Sequence, residues 1–161
     1  MIEIPLTRGF VALVDEADAA LVGRHQWRAL KSGKGTKVRW YASAGQGKAT
    51  TLMHRLIMAA PIGMDVDHRD YDGLNNRRGN LRLATRSQNM ANARMRSDNS
   101  TGFRGVGWHR QMERWRAYVR VDGRLRSLGL HDAPEDAARA YDAAAREAFG
   151  EFASLNFPEA A

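Results

Sequence analysis

The sequence predicts an α+β protein in two parts: a β-loop-β-helix hairpin set on short strands and turns, then a three-stranded antiparallel sheet packed on one helix. Three stretches predict it. Arg114 to Val121 alternates strictly, with Trp115, Ala117, Val119 and Val121 on one face and Arg114, Arg116, Tyr118 and Arg120 on the other, the period of a half-buried strand. Asp122-Gly123 supplies a two-residue hairpin turn into Arg124 to Leu130. Upstream, Val66 to His68 reads as the end of a strand, Asp70 to Gly79 as a polar loop and Asn80 to Ala84 as a second strand. Thr85 then N-caps a helix through Asn92.

The other elements follow in order. Gly9 to Val14 reads as a strand, Asp15 N-caps a helix over Glu16 to Val22, and His25 to Trp27 and Val38 to Ala42 are further short strands. Glycines 33, 35, 45 and 47 punctuate the loops. Thr51 to Ala59 is mostly apolar with His54-Arg55 inside it, a short strand or helix ended by Pro61-Ile62-Gly63. Arg94 to Gly102 is polar with few residues able to pack, which puts a linker at 96–101 between a first domain over 1–95 and a second over 102–158. After the sheet, Asp132 and Pro134 start a helix in which Ala137, Ala138, Tyr141, Ala144, Ala145 and Ala148 form one small apolar face, and Gly150 ends it.

Composition narrows the function classes. At 161 residues and 43% hydrophobic content the chain is a globular protein of one ordinary domain or two small ones. No apolar run is long enough to span a bilayer and Met1 to Pro5 lacks the pattern of a signal peptide, so a cytoplasmic protein without membrane contact is expected. With no cysteine, thiol nucleophiles and Cys-ligated zinc are excluded, and any metal must be held by O and N ligands. The net charge of +7 points to a polyanionic partner. That charge is sorted: Asn99 to Arg126 holds seven arginines against Glu113 and Asp122, while Ser127 to Ala161 holds seven acids against Arg139 and Arg146.

The chemistry concentrates in Val66 to Asn92. An Asp-His pair, Asp67-His68, stands on the first strand of the hairpin, and Asn89 lies one turn into the following helix. A carboxylate and an amide oxygen suit a hard cation such as Mg²⁺, which keeps several waters and takes substrate phosphate oxygens, while a neutral imidazole beside them can accept a proton from water. Singly, these residues are ordinary strand-end and turn residues; their joint spacing carries the reading. Arg69, Arg77 and Arg82 are placed to reach phosphate, Asp65, Asp70 and Asp72 read as loop carboxylates, and His54 is a packed histidine that can touch the site. No G-x-S-x-G elbow supports a serine hydrolase.

The segment V-D-H-R-D-Y-D-G-L-N-N-R-R-G-N-L-R-L-A-T-R-S-Q-N-M-A-N resembles the ββα-metal motif of HNH endonucleases in its H-N-N form. The wider stretch, from I-P-L-T-R-G-F-V-A-L-V-D through M-H-R-L-I-M, is similar to homing endonucleases of the bacteriophage type. The resemblance covers roughly residues 1 to 95, with the ββα motif at about 64–93. It implies that Asp67 and Asn89 are metal ligands, that His68 is the general base, and that Asn80 braces the loop and orients His68. It implies one Mg²⁺ or Mn²⁺ per site, hydrolysis of DNA phosphodiester bonds, and no small-molecule cofactor. Asn92, three residues on, is a rival for Asn89. A DNA-binding regulator or decayed nuclease is the alternative reading.

The second unit, with its R-G-V, its tryptophan strand, L-G, the A-A-R-A-Y-D helix and a closing L-N-F-P, resembles the AP2/ERF DNA-binding domain. That resemblance puts Arg104, Arg114, Arg116, Tyr118 and Arg120 against double-stranded DNA, with Arg110, and leaves Arg124 and Arg126 as further candidates whose register is open. Arginines on such a face can grip guanine edges or clamp phosphates. Ser127 stands where that family places a Trp, and the first turn holds an extra residue near Gln111-Met112. The chain is expected to act as a monomer.

Overall fold

A computed structural model describes residues 1–34, 38–93, 95 and 99–158. Gly35 and residues 96–98 of the expected linker lie outside the described residues. The chain divides into two compact units, Met1–Thr85 and Arg86–Ala161, so the helix after the hairpin groups with the C-terminal unit and the division falls about ten residues before the expected linker. No helix among the described residues is long and apolar enough to cross a membrane.

The first unit opens with the antiparallel pair β1 (Ile2–Pro5) and β2 (Val11–Val14). A 3₁₀ turn over Glu16–Asp18 leads into the short helix α1 (Ala19–Val22). Asp15 does not cap it; the Asp15 carboxylate is used elsewhere, as described below. The strand expected at His25–Trp27 lies later, at β3 (Arg28–Ser32), because Trp27 is buried with its indole N–H donated to Val22 O. β3 pairs with β4 (Arg39–Ala44), which pairs with β5 (Thr51–Leu52). The apolar run from Thr51 is both of the alternatives expected, a strand of two residues and then helix α2 (Met53–Ile57). The two-stranded sheet of β6 (Asp65–His68) and β7 (Leu81–Ala84) follows, and one core of Ala12, Val14, Val22, Trp27, Ala42, Met53, Ile57, Val66 and Leu81 ties these pieces together.

The second unit begins with α3 (Arg86–Ala91) and contains the sheet β8 (Val106–His109), β9 (Arg114–Val121) and β10 (Arg124–His131) in the order β10-β9-β8. Helix α4 (Pro134–Phe149) packs on one face, with Ala137 and Ala138 fully buried against Val106 and Ala117, and Ala145 buried as well. Pro134 opens that helix and Gly150 ends it, as expected, while Asp132 pairs with Arg114 at 2.9 Å instead of capping. The β9–β10 turn is made by Asp122 (φ 48°) and Gly123 (φ 78°), the left-handed pair a two-residue hairpin demands. At Gly105 (φ 70°) a Cβ would lie 2.0 Å from the Tyr141 ring, so only glycine lets strand β8 start against that helix. Buried Asp142 fastens the C-terminal segment, accepting from Asn156 N and Phe157 N at 2.8 Å each.

Candidate functional site

The site is built around the loop from Arg69 to Asn80, which joins β6 to β7. Antiparallel pairing sets Asp67 opposite Arg82 and His68 opposite Leu81. The loop is closed at its base by Arg69 N donating to Asn80 O at 2.9 Å. Inside it, Asn80 Nδ2 donates to Asp70 Oδ1 (2.9 Å) and Asn75 O (2.8 Å), and Asn80 Oδ1 accepts from Asp70 N (3.1 Å). Asp70 also accepts from Asn75 Nδ2 at 2.6 Å and from Asp72 N at 2.8 Å. Although burial pushes its carboxyl up, the donors from Asp72, Asn75 and Asn80 outweigh that and hold Asp70 below the ordinary carboxylate value.

The N-terminal strands hold this loop from outside. Leu13 N donates to Leu74 O (2.9 Å) and Asn76 N to Leu13 O (2.8 Å), which runs the loop alongside β2. Asp15 Oδ2 accepts from Arg78 N at 2.8 Å, and Asp18 takes the Arg78 guanidinium through both of its oxygens. Gly73 is required by closeness: a Cβ there would meet Trp40 O at 2.4 Å and the Tyr41 ring at 2.6 Å.

His68 sits at the end of β6, buried, with its Nε2 lacking a hydrogen-bond partner. Burial lowers its pKa, opposed by the Asn76 side chain and by Asp70, Asp67 and Asp72, so the imidazole is neutral near pH 7. Asn76 is fully buried and its Oδ1 has no partner of ordinary hydrogen-bond geometry. His54, on α2, stands edge-on to His68 with ring centroids 5.0 Å apart, and Tyr41 lies beside both at 5.6 and 6.0 Å. Its pKa is lowered to about 3 by burial, then by His68 and Arg55, and its Nδ1 is buried without a partner.

Asp67 and Arg82 form a buried ion pair, Nη2 to Oδ2 at 2.8 Å, with side chains 7% and 8% exposed. Arg82 is therefore engaged inside the protein, a correction to the expectation that it reaches phosphate from the surface: the β6–β7 register turns it toward Asp67. Arg69 is exposed, and Arg77 Nε donates to Asn75 Oδ1 at 2.9 Å.

The hairpin thus combines a buried carboxylate, a buried neutral imidazole with an open nitrogen, and a loop locked by Asn80. Residues 52–91 match the HNH endonuclease family. An uncharacterized HNH endonuclease of Acanthamoeba polyphaga mimivirus is 32% identical over 151 residues, 92% of this chain and 76% of that protein. The chain belongs to the HNH endonuclease family. Protein 3.8 of Escherichia phage T7 is 34% identical over 93 residues, covering 58% of this chain and 76% of that one. No solved structure matches.

In this chain, the residues singled out from sequence fall in two groups. Asp67, His68, Asn80 and His54 come together in the first unit. Asn89 and Asn92 belong to α3 and the residue after it, within the second. There Asn92 is buried and its Oδ1 lies 3.4 Å from Ser154 Oγ, which gives it a packing partner. Among the described residues no three His, Asp or Glu side chains form a metal cluster. The oxygen donors nonetheless fit a hard cation that takes few protein ligands: Asp67 is a buried carboxylate, and the buried, unpartnered Nε2 of its neighbour His68 calls for a water or a substrate group.

The second unit presents a polar sheet face. His109, Arg114, Arg116, Tyr118 and Arg120 share the side away from α4, and Leu125 and Ser127 join them by pairing with Arg120 and Tyr118. Arg116 lies over the Tyr118 ring at 5.4 Å, and Arg120 caps the hairpin at Gly123 O (2.9 Å). Arg110 is exposed in the β8–β9 turn. Arg124 and Arg126 pair with Val121 and Val119, so they lie on the helix side of the sheet, where Arg126 is 3.9 Å from Glu147. Arg104 is half-buried, and its Nη1 donates to Ala93 O at 2.7 Å. Asn76, Asp70 and Tyr41 were not singled out from sequence as site residues; asparagine and aspartate beside glycine read as turn chemistry, and what distinguishes them is the burial of Asn76, the hydrogen bonds of Asp70 and the ring contacts of Tyr41.

Proposed function

We propose that this chain is a metal-dependent endonuclease that hydrolyses phosphodiester bonds of double-stranded DNA and is directed to it by an AP2/ERF-like C-terminal unit. The observation that carries the catalytic half is the buried, neutral His68 with its Nε2 unpartnered, next to the Asp67 carboxylate, in a chain of the HNH endonuclease family. A neutral imidazole is ready to take a proton from the water that attacks phosphorus. Asn80 keeps the loop and the end of β6 in place, and His54 and Tyr41 set the plane of the His68 ring.

Asp67 and Asn89 are the residues that would hold Mg²⁺ or Mn²⁺, and the cation would supply Lewis-acid stabilisation of the charge developing on the phosphate and the leaving 3′ oxygen. Asn92 is the lesser candidate, given its contact with Ser154. Products would carry 5′ phosphate. DNA would lie on the face of Arg114, Arg116, Tyr118 and Arg120, with exposed Arg110 nearby, since so many like charges on one face favour a polyanion. Incubating the purified protein with supercoiled plasmid in Mg²⁺, in Mn²⁺ and in chelator tests this: nicked or linear product is expected with either metal and none with chelator. Unchanged plasmid in both metals, at protein concentrations that retard the same DNA in a gel, would sink it.

A further inference from the structure

Asp67 and Arg82 face each other across the β6–β7 ladder, and both are buried. Arg82 Nε and Nη2 each lie 2.8 Å from the same oxygen, Asp67 Oδ2. Two donors of one planar group converge on that single oxygen and hold Oδ2 in position. They also bring a full positive charge to the carboxylate that the proposed function assigns to a divalent cation. In a buried site two like charges a few ångströms apart repel far more than in water.

We propose that Arg82 is a positioning residue and an internal competitor for the metal. It holds Asp67 in place through Oδ2 and weakens cation binding to the protein alone, so that firm metal binding waits for the negative charge of a substrate phosphate. This rests on the reading of Asp67 as a metal ligand. A merely structural ion pair predicts the opposite sign. Breaking it would loosen Asp67 and weaken metal binding, whereas removing a competitor tightens binding even as turnover falls.

Mn²⁺ titration by calorimetry, with full-length protein and no DNA, separates the two. Arg82→Gln is expected to bind Mn²⁺ about fivefold or more tighter than wild type, and Arg82→Lys, which keeps the charge, to stay within about twofold. Equal or weaker binding by a folded Arg82→Gln, judged by circular dichroism, overturns the proposal. Should that variant not fold, the wild type gives the answer through arginine side-chain NMR. The Arg82 Nε–H, protected from exchange without metal, is expected to exchange at least about tenfold faster in saturating Mg²⁺, because a buried pair opens only when its partner is taken; unchanged protection overturns it. The double variant Arg82→Gln/Asp67→Asn distinguishes the underlying reading. Loss of the tightened binding is expected, and its persistence means that Asp67 is not the ligand. If Asp67→Asn alone abolishes wild-type binding while Arg82→Gln fails to tighten it, only the competition is wrong.

Discussion

His54 and His68 meet edge to face, their ring planes at 86° and centroids 5.0 Å apart, each with one ring nitrogen buried and unpartnered. Both have lowered pKa values, first through burial, so both fold as neutral rings. The unfolded chain binds protons on them below its ordinary value of 6.5 and the native state does not, down to about 3 for His54. Stability is therefore full above about pH 6.5 and falls as the pH is lowered through that window, by up to about 1.4 kcal/mol per unit for each histidine. Urea melts of the wild type at pH 7 and pH 5 should show this loss, and His54→Phe should reduce it. An equal loss in the variant would remove His54 as the cause.

Asn80 makes three hydrogen bonds with its side chain, all within the loop that follows His68. Asn80→Ala is expected to cost about 1–3 kcal/mol through the partners left unsatisfied on Asp70 and Asn75. Because the same bonds hold the end of β6, cleavage of plasmid should drop further than the fraction unfolded explains. Thermal unfolding and cleavage measured on one preparation check both parts.

Gly73 is packed against Trp40 O and the Tyr41 ring, so Gly73→Ala forces backbone or ring to move, at about 1–3 kcal/mol. A midpoint in chemical denaturation equal to that of the wild type would mean that the loop does not press on Tyr41 in solution.

The two sheet faces separate the arginines. If Arg116 and Arg120 meet phosphates, replacing either with Ala should weaken DNA binding and reduce the slope of log affinity against log salt by about 1. Arg126→Ala, on the side of Val119 and Glu147, should leave that slope unchanged. Fluorescence anisotropy over a salt series reads the difference, and a larger effect from Arg126 than from Arg116 would reverse the face.

Much of this was legible in the sequence. The alternation from Trp115 to Val121 has period two and reads directly as a strand with one apolar face, and Asp122-Gly123 reads as its turn. That same two-residue turn sets Arg124 opposite Val121, so the side on which Arg124 and Arg126 lie was present in the sequence once the register was followed through. Asp67, His68 and Asn89 were singled out by their joint spacing on the hairpin and the helix after it, and Asn80 by the resemblance to the HNH motif. What lay beyond reach depends on contacts far apart in the chain. Asp15 looks like a helix cap and instead accepts from Arg78, sixty-three residues away. Arg82 looks like a surface cation until the β6–β7 register turns it onto Asp67. Asn76 looks like a turn residue until Leu13 draws the loop into the core.

His68 is the group proposed to accept the proton from water. The most direct test of this is a comparison of wild type and His68→Ala on supercoiled plasmid in Mg²⁺, with DNA binding measured on the same samples. A cleavage rate lowered by about 10² or more, the size of a general-base contribution, is expected for the variant, with affinity for DNA unchanged. Cleavage by His68→Ala at the wild-type rate would contradict it.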